Sequence, residues 1–249
     1  MNERIPWILL RGLTRDSRHW GAFADRFAQA FADAPIVALD LPGNGMLHRE
    51  PSPTTIDAMA AYCRREMSVR GFAPPYRVLA ISLGGMVAAA WAAAHADELD
   101  ACVLINTSLR PFAPPHWRLR PSACARVLRL FVLDDPRASE ATILGLTSNN
   151  RERAREVLDD WTAWRRAHPV SPNNAMRQLL AAARFRAPLQ TPATRVLVLV
   201  SDGDRLVDPR CSQRLAESWD CPLAAHPHAG HDLPLDDGDW IVEQVRRWY

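Results

Sequence analysis

The sequence predicts an α/β fold, with a mostly parallel central sheet carrying helices on both faces and interrupted once by a helical insertion. Three features predict it. Over the first 107 residues, short apolar runs alternate with longer stretches of helical apolar spacing, the pattern of successive βαβ units. The alternation resumes after residue 190. Between the two lies a stretch that opens with four prolines from Arg110 to Pro121, too many for a regular element and suited to an exit from the sheet edge.

The apolar runs at 5–10, 35–40, 76–81 and 101–105 are the first strands, and 17–32, 55–69 and 83–94 are the helices between them. Four helical segments follow, at about 121–133, 136–146, 151–168 and 172–185. Asp135-Pro136 and Ser171-Pro172 each supply an N-cap side chain followed by proline at the first helical position. Strands at 194–200 and 221–225 and a last helix at 237–248 complete the chain. The expected division is a core of residues 1–108 and 189–249 with an insertion at 109–188. No internal repeat or low-complexity segment interrupts it.

A chain of 249 residues with 48% hydrophobic and 23% charged side chains can bury roughly three quarters of its unfolded surface in one core. This excludes a disordered chain and a disulfide-stapled miniprotein. No window reaches the roughly 18 to 20 apolar residues of a membrane span, since the run from Met86 to Ala94 stops at His95. Residues 1–6 lack a basic segment followed by a long apolar stretch, so no secretory signal is read and a cytoplasmic location is expected. The five cysteines (Cys63, Cys102, Cys124, Cys211 and Cys221) are odd in number and form no Cys-x-x-Cys pair, as expected of reduced, mostly buried thiols.

Net charge is +2, which makes no case for nucleic acid or a membrane surface as partner. All 30 basic residues are arginine, which reads as genome composition rather than function. They are unevenly placed. Ser108 to Leu189 holds 14 Arg against 7 Asp and Glu, a net +7, and the rest of the chain carries −5.

The strongest local signal is Val78-Leu79-Ala80-Ile81-Ser82-Leu83-Gly84-Gly85, a β-rich run that ends in Ser82 and passes directly into an Ala-rich helix. So sharp a turn crowds neighbouring backbones and needs small residues two positions either side of the serine. Ala80 and Gly84 meet that need. The turn would lift the Ser82 hydroxyl above the sheet and place the Leu83 amide at a helix N-terminus, where developing negative charge is stabilised.

In this the chain resembles the α/β-hydrolase family, whose Gly-x-Ser-x-Gly nucleophile elbow has Ala80 in place of its first glycine here. The resemblance implies the chain order nucleophile, acid, histidine. Asp202, Asp204 and Asp208 all follow the strand at 194–200, and aspartate is common in turns. The family's Asp-x-Leu-Val-x-Pro register picks Asp204. The segment Gly230-His231-Asp232-Leu233-Pro234 is similar to the family's histidine loop and implies His231 as the base, leaving His226 and His228 as ordinary loop residues. The second oxyanion amide is implied at Leu13, in Arg11-Gly12-Leu13 after the first strand. Relatives usually carry His where this chain has Arg11. Arg11 either pairs with a carboxylate, as buried arginine ordinarily does, or binds a negative group of the substrate. Asp40-Leu41-Pro42-Gly43-Asn44-Gly45 is a further family match and carries no chemistry. Dinucleotide, P-loop and metal-binding patterns are absent from the sequence, and no cofactor or metal is expected.

In this family the insertion forms a lid over the nucleophile, and the four predicted helices fall there. The lid arginines are read equally as solvated and paired, through Glu152/Arg155 and Arg155/Asp159 spacings, or as steering an acidic partner. That partner would be an acyl carrier protein, a coenzyme A thioester or a dicarboxylic substrate. Of Trp117, Phe131, Trp161, Trp164 and Phe185, most are expected in the core and a minority at an acyl pocket. The whole pattern is similar to bacterial carboxylesterases of the pimeloyl-carrier methyl esterase type. It implies a serine hydrolase that cleaves a carboxylic ester or acyl thioester, a small-molecule substrate that is acidic or carrier-bound, and neither nucleic acid nor membrane as partner. Two rivals stay open: a lyase of the menaquinone-pathway type or a carbon–carbon bond hydrolase on the same fold, and an inactive ligand-binding member of the family.

Overall fold

A computed structural model describes residues 4–131 and 133–249. Residues 1–3 of the N-terminal reading, and Val132 of the predicted helix at 121–133, lie outside the described residues. Among the described residues six strands form one sheet: β1 (Trp7–Leu10), β2 (Ile36–Leu39), β3 (Tyr76–Ile81), β4 (Leu99–Ile105), β5 (Arg195–Ser201) and β6 (Leu223–His226). Their order is β2-β1-β3-β4-β5-β6 and every neighbouring pair is parallel. Successive side chains of β1 enter opposite cores. Ile8 and Leu10 pack with α2 (Ile56–Val69), α3 (Leu83–Ala94) and α9 (Arg210–Trp219). Trp7 and Leu9 pack with α1 (Ala22–Ala30) and α10 (Leu233–Trp248). Burial on both faces explains why these strands read as unbroken apolar runs rather than alternating ones.

The boundaries depart from expectation where a local feature intervenes. The helix predicted at 17–32 is a 3-10 turn, Ser17–Trp20, and then α1, divided at Gly21, whose φ of 49° no helix tolerates. Helix α9 was not predicted. Its Cys211, Leu215 and Trp219 are buried at helical spacing, and the parallel step from β5 to β6 requires a crossover. Helix α10 begins four residues before the predicted start at Asp237, which is a kink with φ −153° whose carboxylate accepts from Trp240 N at 3.1 Å.

Between β4 and β5 lie α4 (Pro115–Arg118), α5 (Pro121–Arg129), α6 (Pro136–Thr147), α7 (Arg151–Ala167) and α8 (Pro172–Arg184). The proline-rich stretch thus holds one helical turn, α4, where no regular element was expected. The predicted caps form: Asp135 accepts from Arg137 and Ala138 amides, and Ser171 from the Asn174 amide. The chain leaves and re-enters the core at one place, where Ala187 N donates to Arg110 O at 2.7 Å.

Candidate active site

Strand order reverses between β1 and β3, and the crevice beyond the carboxyl ends of such strands is where α/β sheets bind ligands. Ser82 stands there, between the last residue of β3 and the first of α3, with φ 55° and ψ −114°. A non-glycine residue held at positive φ costs about 1–2 kcal/mol, and its neighbours hold it. Ser82 N donates to Ile105 O at 2.9 Å, and the Thr107 hydroxyl donates to Ser82 O at 2.9 Å. Gly84 is required by close approach: a Cβ there would lie 2.5 Å from Leu10 O and 2.7 Å from Arg11 O. On the other side a Cβ at Gly12 would lie 3.2 Å from Ser82 Cβ, so the loop after β1 passes directly beside the serine and brings Leu13 to the same cavity. Leu83, as the first residue of α3, has an amide with no acceptor inside the helix.

His231 and Asp204 meet from two loops. His231 Nδ1 lies 2.7 Å from Asp204 Oδ2, and both side chains are buried. A carboxylate only accepts, so Nδ1 carries the proton and Nε2 is left free to accept. The other Asp204 oxygen accepts from Leu206 N at 2.8 Å and Val207 N at 2.9 Å, which fixes the carboxylate plane. Burial, the largest single influence on His231, pulls its pKa down. The charge and hydrogen bond of Asp204, aided by Asp232, outweigh burial and hold it above the ordinary value. Neither competing aspartate is bonded to His231 among the described residues. Asp202 is exposed, and Asp208 is bound by Arg210 at 2.8 Å. His226 lies 3.2 Å from Asp237, and His228 is exposed.

Arg11 lines the cavity, but its fork is taken by Asp232, with Nη1 and Nη2 donating at 3.0 and 2.6 Å. Of the two sequence readings, the structure forms the carboxylate pair. Burial raises the Asp232 pKa, and the Arg11 charge reverses this and holds it low.

Three supporting residues were missed in the sequence. Asn106, at φ 46° and buried, accepts from Ser201 N at 2.8 Å and donates to Ser201 Oγ at 3.0 Å and His231 O at 2.9 Å. Asp236 accepts from Gly230 N at 2.7 Å and Asn149 N at 2.8 Å, joining the histidine loop to the α6–α7 junction. Glu140, buried in α6, binds Arg15 at 2.7 Å and Arg165 at 2.6 Å. The only sequence signal was an Asn-Thr pair at a strand end, suited to positive φ.

Ser82, His231, Leu13 and Leu83 share a cavity of about 350 Å³ whose walls include Val127, Ile143 and Leu179 from the inserted helices. A second cavity of about 550 Å³ between α5, α6, α7 and α8 shares Leu13, Val127, Leu130 and Leu179 with the first. Phe131 lines it. Trp161 is buried beneath the Arg15 guanidinium at 4.6 Å, and Phe185 is in the main core. The expected Arg155/Asp159 pair does not form, and Asp159 binds Arg137 instead. Glu152 and Arg155 likewise form no ion pair among the described residues. Among the described residues no His, Cys, Asp or Glu cluster is arranged to hold a metal, and no helix is long and apolar enough to cross a membrane.

A parallel sheet, a serine at the sharp turn after its third strand and a buried Asp–His pair whose histidine lines the same cavity define a class. The chain belongs to the alpha/beta hydrolase family, whose sequence model matches residues 7–244. It is 37% identical over 112 residues to the pimeloyl-[acyl-carrier protein] methyl ester esterase of Chromobacterium violaceum, a match that spans 43% of this chain and 39% of that protein. Two solved structures share the fold. An enol-lactonase from Burkholderia xenovorans superposes with TM-score 0.80 at 19% identity, covering 99% of this chain and 92% of its own. A thermophilic esterase from Thermogutta terrifontis gives TM-score 0.78 at 21% identity, covering 98% and 89%.

Proposed function

We propose that the chain is a serine hydrolase of carboxylic esters, with Ser82 as nucleophile, His231 as general base and acid, and Asp204 as its orienting partner. The observation that carries this is the buried His231–Asp204 pair at 2.7 Å, whose histidine lines the cavity that holds Ser82 at its positive-φ turn. In the reaction, His231 Nε2 takes the Ser82 proton as Oγ attacks the acyl carbonyl, and the Leu13 and Leu83 amides receive the negative charge on oxygen. Collapse breaks the ester C–O bond, and His231 returns the proton to the departing alcohol. Water, deprotonated by the same imidazole, then attacks the acyl carbon, and His231 returns that proton to Ser82 Oγ as the acid leaves. Asp204 stabilises the imidazolium without taking its proton.

The helices at 109–188 act as a lid in this reading, a role supported by the residues they contribute to the cavity walls. The second cavity leaves room for an extended acyl or thioester arm. Hydrolysis of p-nitrophenyl esters from acetyl to decanoyl by wild type and Ser82→Ala tests the proposal. Turnover in the wild type that falls at least a thousandfold in the variant is expected. A wild type inactive at every length would overturn it in favour of a different chemistry on this fold.

A further inference from the structure

Among the described residues, Arg118 is the cation of the cavity without a counter-charge. The other two arginines in its wall are matched: Arg11 by Asp232, and Arg15 by Glu140. Arg118, at the end of α4 and half-buried, makes no ion pair among the described residues. Its one hydrogen bond runs from Nη2 to Ala182 O, at 2.6 Å, and its buried Nε has no acceptor. That carbonyl belongs to the last turn of α8, which offers a partial negative charge and holds the guanidinium in place. It does not neutralise a unit charge, and Arg110, bound to the next carbonyl at Ala183, adds repulsion. Burial together with that neighbour lowers the Arg118 pKa. A half-buried guanidinium with an unmatched donor in a largely apolar cavity is costly to the empty protein. An anionic ligand offsets that cost.

We propose that the cavity takes an ester that also bears a carboxylate, and that Arg118 is the residue that selects it by seating the anionic end on its guanidinium. This rests on Ser82 as the nucleophile, since it places the ester carbonyl at one part of the cavity and the carboxylate at another. The apolar walls of the cavity, including Leu13, Met86, Val127 and Leu179, suit a hydrocarbon spacer. Half-esters of aliphatic dicarboxylic acids have this chemistry, and in their neutral dimethyl esters one added methyl group removes the charge.

Binding is measured first, because it does not depend on turnover. Calorimetric titration of Ser82→Ala with monomethyl and dimethyl esters of the acids from succinic to suberic should show the best half-ester bound about 10- to 100-fold tighter than its diester, the range of a charge-assisted contact. Adding Arg118→Gln should bring that ratio close to one, while Arg118→Lys, which keeps the charge and loses the fork, should retain part of it. In the wild-type background the same substitutions should lower the half-ester to diester ratio of kcat/KM, through KM. Equal affinity for the two esters in Ser82→Ala would overturn the proposal, as would an Arg118→Gln protein that keeps the preference. If Arg118→Gln does not fold, the half-ester preference of the parent and its reduction in Arg118→Lys decide the matter. A half-ester preference in binding with no hydrolysis of any ester would refute the serine hydrolase and leave the anion site standing. Hydrolysis of p-nitrophenyl esters without the preference would do the reverse.

Discussion

Arg11 and Asp232 form a two-pronged ion pair, at 3.0 and 2.6 Å, with both side chains almost wholly buried. One partner lies two residues before Leu13 and the other directly after His231, so the pair ties the loop after β1 to the histidine loop. Removing one member of a buried pair leaves a charge without compensation, which costs ~3–5 kcal/mol. Arg11→Met and Asp232→Leu should each lower stability by about that much in urea unfolding, and the double substitution should recover most of it. Activity should not recover in the double variant, because the loops lose their registration. Restored kcat would show that the pair serves stability alone.

The acid limb of kcat/KM for a neutral ester should have its midpoint above 6.5, because His231 must be neutral to accept the serine proton and Asp204 holds its pKa above the ordinary value. Asp204→Asn removes that charge, leaves only Asp232 to oppose burial and should move the limb to lower pH as well as reduce kcat. Stability carries the same sign. A histidine whose pKa is raised by folding contributes stability that is fully present below the unfolded value near 6.5 and lost as pH rises through the folded value. Wild type should therefore lose stability relative to His231→Gln as pH rises through that range. A midpoint at or below 6.5 would mean that burial outweighs Asp204.

Much of this site was legible because its signals are local. The Ser82 turn and all of α3 follow from one run of small residues after a β-rich segment, and the structure starts and ends that helix where the spacing does. Asp204 and His231, which the structure pairs, each lie in a short local motif of the sequence. The scaffold around them was not legible, because it is built from distant partners. Asn106 meets His231 across 125 residues of chain, as Arg15 meets Glu140 across the same separation. Nothing in the neighbourhood of either residue encodes its partner. Gly21 and the Asp237 kink shifted helix starts for a related reason, since apolar periodicity registers which residues are buried and is blind to φ.

Asn106 should prove as sensitive as the proposed catalytic residues although it is not among the residues lining the Ser82 cavity. Its side chain answers the Ser201 amide and the His231 carbonyl, both buried, and its backbone sits at φ 46°. Asn106→Ala leaves both groups unpaired and adds left-handed strain, so a loss of about 3–5 kcal/mol is expected from the two terms together. Asn106→Gly removes the hydrogen bonds but not the backbone freedom and should fall between. Thermal unfolding of the three proteins orders them. If Gly is as damaging as Ala, the strain term is absent and the hydrogen bonds account for the whole effect.

Two glycines separate close approach from mere flexibility. At Gly84 a Cβ would sit 2.5 Å from the carbonyl oxygen of Leu10 and 2.7 Å from that of Arg11, and backbone at the end of an interior strand cannot retreat as a side-chain tip can. Gly84→Ala must therefore push α3 away from β1, which displaces Ser82 from Leu13 as well as opening the core. A loss of ~3 kcal/mol or more, with activity falling further than the folded fraction does, is expected. Gly145 lies inside α6, exposed, at an ordinary φ, with nothing within 4 Å of its Cβ position. There alanine removes only unfolded-state freedom, so Gly145→Ala should gain about 0.4–1 kcal/mol. Urea unfolding of both variants beside the wild type tests the pair. If Gly84→Ala proved as stable and active as the parent, α3 would have to be free to move against β1, and the cause assigned here to the Ser82 turn would be wrong.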